Sequence, residues 1–211
     1  MTELRDQILT AAQNMSADGL SPGKSGNVSA RTSEGFIITP TGLVYDQLEP
    51  SDLVLVLNDG SIPEGQLKPS SEAPFHLSLY RSRPDINAIV HCHSNKATAL
   101  ACAGHSIPAF HYMVAVAGGK DIPLAPYATF GTEALASSLV ATLTDRNACL
   151  MAHHGQIALG KTPSIALDLA MEIENLAAQY IDVLQLGNPT VLSGEEMDRV
   201  LEKFSAYGQQ G

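Results

Sequence analysis

The chain has 211 residues, of which 45% are hydrophobic and only 16% charged, and its formal net charge is −10. That length supports one well-buried core and argues for one domain, while so few charges leave much of the surface to small neutral residues or to a covering subunit. The acidic balance, 22 Asp and Glu against 12 Lys and Arg with no basic cluster, weighs against binding nucleic acid or an anionic membrane, since both demand clustered cations.

The start, Met1-Thr2-Glu3-Leu4-Arg5, lacks the charged-then-apolar build of a signal peptide, and no window reaches the roughly twenty apolar residues of a membrane span, so a cytoplasmic protein is expected. Leu4, Ile8, Ala11, Ala12 and Met15 recur at helical spacing, which predicts a helix over 2–18 closed by Gly19. A Ser- and Gly-rich loop at 21–27 precedes two short predicted strands, 28–31 and 36–39, and a turn at Thr39-Pro40-Thr41-Gly42. Residues 52–57 read as a buried strand ended by Asn58-Asp59-Gly60, a strong hairpin signal. A helix over 70–81 follows, with Ser70 or Ser71 near its start and Pro84 beyond its end.

The apolar run 86–90 leads into His91-Cys92-His93, after which 95–101 looks helical. A helix over 131–143 is capped from Thr132, a strand over 148–152 runs into His153-His154, and 156–160 is its hairpin partner. The longest helix, 164–186, enters at Pro163 and leaves at Gly187, and a last helix spans 193–206. Strands in hairpins interspersed with helices predict an α/β protein of the α+β type, with a central, largely antiparallel sheet flanked by helices. The dinucleotide motif GxGxxG and the phosphate loop GxxxxGK[ST] are both absent. Cys92, Cys102 and Cys149 lie in apolar stretches without CxxC spacing, so reduced, buried thiols are expected.

Histidines at i and i+2 on a strand share a face, so His91 and His93 can converge on one metal ion while Cys92 points away. His154 and Glu72 complete three nitrogen ligands and one carboxylate, a set suited to Zn²⁺ or a similar divalent ion. Such a site can drive proton abstraction next to a carbonyl, with Glu72 as base, or hydrolysis by a bound hydroxide; spacing does not separate the two. Ser25-Gly26-Asn27, Thr41-Gly42 and Ser70-Ser71 carry residues that hold phosphate through neutral donors and backbone amides, with Lys24 nearby.

The segments Ser25-Gly26-Asn27-Val28-Ser29, Thr39-Pro40-Thr41-Gly42, Pro69-Ser70-Ser71-Glu72, His91-Cys92-His93 and His153-His154-Gly155 occur in the order found in the class II aldolase/adducin family, which the chain resembles from its first helix to Tyr207-Gly208. The stretches 107–119 and 125–132 resemble the branch that acts on L-fuculose 1-phosphate. The resemblance implies a three-layer fold spanning 1–211 as one domain with a short C-terminal tail, assembled as a homotetramer with active sites between subunits. It implies one Zn²⁺ per subunit on Glu72, His91, His93 and His154, with His153 in a structural or outer role. Asn27, Thr41, Gly42, Ser70 and Ser71 would bind the substrate phosphate, and Glu72 would be the acid/base. Tyr112 from a neighbouring subunit would handle the proton on the aldehyde oxygen, while Phe130 and Tyr207 would shape the aldehyde end.

The implied reaction is that of a lyase: reversible cleavage of L-fuculose 1-phosphate, or a close ketose 1-phosphate, to dihydroxyacetone phosphate and L-lactaldehyde through a metal-stabilised enediolate. The alternatives are an aldolase for 5-deoxypentulose 1-phosphates, or a sugar-phosphate epimerase or dehydratase of the same fold. Epimerases of the family carry an acidic residue in the segment matching 109–117, where this chain has none.

Overall fold

Along the strand Asn27–Arg31 (β1), Val28 and Ala30 enter one apolar core while the buried side chains of Asn27 and Ser29 take the opposite face. That alternation, repeated across the sheet, divides the protein into layers. The structure, a computed structural model, describes residues 2–22, 24–187 and 189–205. Gly35–Ile38 (β2), Val54–Leu57 (β3), Ala88–Cys92 (β4), Leu124–Ala125 (β5), Ala148–Met151 (β6) and Gly155–Gly160 (β7) join β1 in a seven-stranded sheet ordered β3-β2-β1-β4-β7-β6-β5. All pairings are antiparallel except that of β5 with β6.

One face of the sheet packs on Thr2–Ala17 (α1), Asn95–Cys102 (α3) and Pro163–Leu186 (α5), with Met197 of Gly194–Ser205 (α6) joining the same core. The other packs on Ala73–Ser82 (α2) and Glu133–Thr142 (α4), through Phe75, Leu79, Leu135 and Leu139. This is the expected three-layer arrangement of helices on a largely antiparallel sheet. Thr132 caps α4 by accepting from the amide of Leu135, as its sequence position predicts, and Thr162 caps α5 in the same way by accepting from Ile165. No described helix is long and apolar enough to cross a membrane.

Four expectations need correction. β3 starts at Val54 rather than Asp52, because Pro50 and a reciprocal Glu49–Asp52 capping box wind 50–52 into a 3₁₀ turn. The Asn58-Asp59-Gly60 turn forms, but no strand returns from it; instead the Gln66 amide accepts from Leu55 N–H (2.7 Å) and donates to Leu55 C=O (3.3 Å), imitating a strand at the sheet edge. α2 begins at Ala73, three residues late, because Ser70 is held back by its amide bond to Thr39 C=O and Pro69 bridges Pro40. Cys92 and Cys149 are buried as expected, but Cys102, on the last turn of α3, is exposed.

The start of α3, directly after His93, is secured from a neighbouring helix of the same layer. Ser94 occupies the N-cap position, yet its hydroxyl accepts from Gln156 Nε2 (2.7 Å) and makes no cap bond. The carboxylate of Glu174 on α5 stands in, accepting from the amides of Lys96 (2.8 Å) and Ala97 (2.9 Å). Glu174→Ala is therefore expected to cost about 1–2 kcal/mol, read as a lower denaturant midpoint with unchanged slope; an unchanged midpoint would remove Glu174 from this role.

Candidate metal and anion site

β4 is flanked by β1 and β7, so its backbone is fixed on both sides, with Asn27 and Ile157 opposite His91. Cys92 enters the α1/α3/α5 core, while His91 and His93 turn toward the α2 side. His154 reaches the same point from the β6–β7 turn, where His153 adopts a left-handed φ of 54° and the His154 amide bonds to Met151 C=O (3.0 Å). Gly155 is what lets this turn approach: a Cβ there would collide with the Cys92 carbonyl oxygen and lie 3.0 Å from His93 Cδ2.

The three imidazoles stand like blades, with ring centroids 4.8–5.0 Å apart and planes crossing at 70–77°. Nε2 of His91 lies 3.1 Å from Nε2 of His93 and 3.1 Å from Glu72 Oε2, and Nε2 of His154 lies 3.1 Å from Glu72 Oε1. The three imidazoles thus offer ligand atoms within 4.8 Å of one another, and the Glu72 carboxylate flanks two of them. Nitrogens bound tetrahedrally at about 2.0–2.1 Å from zinc sit roughly 3.4 Å apart, close to the His91–His93 spacing.

The donor chemistry also fits a cation. The Gln156 carbonyl accepts from His91 Nδ1 (2.8 Å), so the Nε2 facing His93 carries a lone pair. Glu72 Oε1 is buried without a hydrogen-bond partner. Burial by itself would raise the Glu72 carboxyl, but His91 and His154 outweigh it and hold the group far below the usual carboxylate range, so it is anionic. The His91 imidazole, which burial would lower, is raised instead by the Glu72 charge. Burial, together with the neighbouring His91 and His154, lowers His93 to about 4 and leaves it a neutral ligand.

Glu72, His93 and His154 open onto a cavity of about 310 Å³. One wall carries Ser25, Gly26, Thr41, Gly42, Ser70 and Ser71, and the exposed Lys24 stands beside them. Gly26, at φ 82°, runs close under β4, since a Cβ there would meet the His91 carbonyl at 2.7 Å; the Tyr45 hydroxyl anchors it by donating to its C=O (2.6 Å). Thr41 N–H to Lys68 C=O and Ser70 N–H to Thr39 C=O tie the other two loops together at 3.1 Å each. The lining also includes Tyr127, Phe130 and His153, with Tyr127 edge-on to His153 at 5.9 Å.

The expected phosphate residues and the ligands Glu72, His93 and His154 therefore line one cavity, with the fully buried His91 behind them and Phe130, 67% exposed, also in the lining. Tyr112 does not join them: it sits on a 3₁₀ segment, 51% exposed, lining a separate groove with Phe204 of α6. Tyr207 lies outside the described residues.

Sequence reasoning missed the groups behind the site. His76 and Tyr80 of α2 and Ser29 of β1 form a buried polar seam leading to Asn27. The signal was present as i, i+4 spacing from Glu72 through His76 to Tyr80, and i, i+2 spacing from Asn27 to Ser29. Tyr127 gave none, since its place depends on the fold of the 118–132 loop.

A family model, Class II Aldolase and Adducin N-terminal domain, matches residues 6–181. The chain belongs to this family. It is 48% identical over 205 residues to a 5-methylthioribulose-1-phosphate/5-deoxyribulose-1-phosphate aldolase of Rhodospirillum rubrum, covering 97% of this chain and 92% of that one. It is also 47% identical over 207 residues to the L-fuculose phosphate aldolase of Escherichia coli K12, covering 98% and 96%. A solved structure titled L-fuculose 1-phosphate aldolase superposes with a TM-score of 0.93 at 36% identity over 97% of each chain. This class II aldolase is thus an enzyme, a lyase; class II aldolases use a divalent metal, the homologous ones act on phosphorylated sugars, and His91, His93 and His154 form a group that could bind such a metal.

Proposed function

We propose that the protein is a zinc-dependent aldolase that reversibly cleaves L-fuculose 1-phosphate to dihydroxyacetone phosphate and L-lactaldehyde. The observation that carries this reading is the continuity of Ser70-Ser71-Glu72: two hydroxyls that line the same cavity as His93 and His154 stand next to a carboxylate 3.1 Å from both His91 and His154. Zn²⁺ held by Glu72, His91, His93 and His154 would supply a Lewis acid for the ketone oxygens.

The chain's own residues then divide the remaining work. Thr41, Gly42, Ser70 and Ser71, with Asn27 behind them, hold the phosphate through neutral donors, which suits an enzyme with little positive charge to spare. That grip fixes the bond to be broken at a constant distance from Glu72. In the condensation direction the Glu72 carboxylate removes the proton from the carbon that forms the new bond, and in cleavage the protonated Glu72 formed in this way returns it. Tyr112, supplied by a neighbouring subunit of a homotetramer, donates its phenolic proton to the aldehyde oxygen in condensation, and its phenolate takes that proton back in cleavage; its 51% exposure away from its own cavity supports that assignment. Phe130 and Tyr207 border the aldehyde. The chain acts in the cytoplasm as one domain per subunit.

A second reading has equal support from the relatives: the ketose is a 5-deoxypentulose 1-phosphate, as the name of the R. rubrum protein indicates for that enzyme. Both keep the phosphate and metal residues and differ only in the aldehyde. The test is a panel of L-fuculose, L-rhamnulose, 5-deoxyribulose and 5-methylthioribulose 1-phosphates with zinc-loaded enzyme. Dihydroxyacetone phosphate is expected from at least one, with L-fuculose 1-phosphate giving the highest kcat/KM. A higher value for a deoxypentulose substrate would select the second reading, and an isomer or inorganic phosphate as sole product would overturn both.

A further inference from the structure

Asn27 is 2% exposed, and its amide bonds to three groups at once. Nδ2 donates to Glu72 Oε2 (2.9 Å) and Ser70 Oγ (3.0 Å), while Oδ1 lies 2.5 Å from His76 Nε2. A carboxylate can only accept, so the amide must turn its NH₂ toward Glu72. Oδ1 then needs a donor, which makes His76 the Nε2–H tautomer. Nδ1 of His76 must accept in turn, and the Ser29 hydroxyl donates to it at 2.7 Å. Ser29 Oγ is itself the acceptor for the Tyr80 hydroxyl at 2.8 Å. Ser29 and His76 are wholly buried and Tyr80 is 4% exposed, so water offers no substitute partner.

The same logic fixes Ser70. Its oxygen receives Asn27 Nδ2 and also the Glu72 backbone N–H at 3.3 Å, so both lone pairs are occupied. Its own proton is left to donate into the cavity that Ser70 lines. Reversing the Asn27 amide would set Oδ1 against the Glu72 carboxylate and draw the Ser70 proton inward. One buried amide thus orients both a metal-facing carboxylate and an anion-facing hydroxyl.

We infer that His76, held by Ser29 and Tyr80, is a positioning residue that locks the Asn27 amide and through it sets both Glu72 and the outward-donating Ser70. His76 does not line the cavity, so any effect on binding there passes through Asn27. The inference rests on the proposed reading of a metal group beside a phosphate pocket, and deepens it.

The test measures zinc affinity by chelator competition, inorganic phosphate affinity of the zinc-loaded protein by calorimetry, and thermal stability, for the wild type, His76→Leu and His76→Gln. Loss of an outer partner of a metal ligand costs roughly 10–100-fold in metal affinity, and His76→Leu is expected to lose zinc and phosphate affinity together on that scale. His76→Gln, whose terminal amide can still donate to Asn27 Oδ1, recovers most of both. ¹⁵N NMR of the wild type shows His76 protonated at Nε2 and bare at Nδ1. A leucine variant that is less stable yet binds both ligands normally, a glutamine variant as weak as leucine, or an Nδ1–H tautomer would each overturn the inference. If the leucine variant does not fold, Ser29→Ala, which removes the donor to His76 Nδ1 together with the acceptor of the Tyr80 hydroxyl, must weaken both affinities; unchanged affinities sink the inference. A wild type that binds neither zinc nor phosphate would instead defeat the aldolase reading.

Discussion

Glu72→Gln is expected to slow aldol cleavage by roughly 10²–10⁴-fold, the range for losing a positioned acid/base, or about 2.7–5.5 kcal/mol of barrier. The substitution keeps the shape of the side chain, 7% exposed at the entry to α2, so circular dichroism and oligomeric state should match the wild type. What it removes is a charge. In the wild type that charge is stabilised by His91 and His154 against the cost of burial, and it accepts from Asn27. Gln can accept from Asn27 with its oxygen only by turning its NH₂ toward Nε2 of His154, 3.1 Å from Oε1 in the wild type. Metal affinity should therefore fall as well, and the decisive measurement is single-turnover cleavage at saturating zinc with bound metal quantified in the same sample. Near-wild-type turnover at full occupancy would end the case for Glu72 as the acid/base.

Removing metal should have the second large effect. Chelation is expected to abolish cleavage, and about one equivalent of Zn²⁺ per chain to restore it, because three imidazole nitrogens and an orphaned carboxylate oxygen have no other common partner among the described residues. Binding that favours the folded state adds RT ln(1 + [L]/Kd), about 2.7 kcal/mol at a hundredfold excess over Kd. For a chain of this size that corresponds to a rise of roughly 5–10 °C in Tm. His154→Ala should remove most of that rise together with the activity. Equal activity and equal Tm with and without metal would refute the site.

How far the sequence foretold this protein depends on how local each feature is. The cap Thr132, the long α5 entered at Pro163 and the alternation that separates His91 and His93 from Cys92 are each decided within a few residues, and the structure places them as predicted. The start of α2 is different: local preference favours a helix from Ser70, but the loop bonds to Thr39 and the Pro40–Pro69 bridge hold Ser70 to Glu72 outside it, where they face the cavity. The short parallel β5 and the missing hairpin partner of β3 were likewise decided by packing and not by their own residues.

For the site, the sequence by itself determined which side chains can ligate, donate or accept, because those are properties of residue type, and it determined which strand face carries them, because strand alternation is fixed. Only the tertiary structure decided which of them meet. Asn27 and Glu72 are 45 residues apart, and His91 and Gln156 are 65 apart, yet hydrogen bonds join each pair. Sheet register brings β1, β4 and β7 side by side, and α2 packing swings Glu72, His76 and Tyr80 over them. A proton in the Asn27–His76–Ser29–Tyr80 seam has a direction only when all its neighbours are in place, since each group can donate or accept until the next one is fixed.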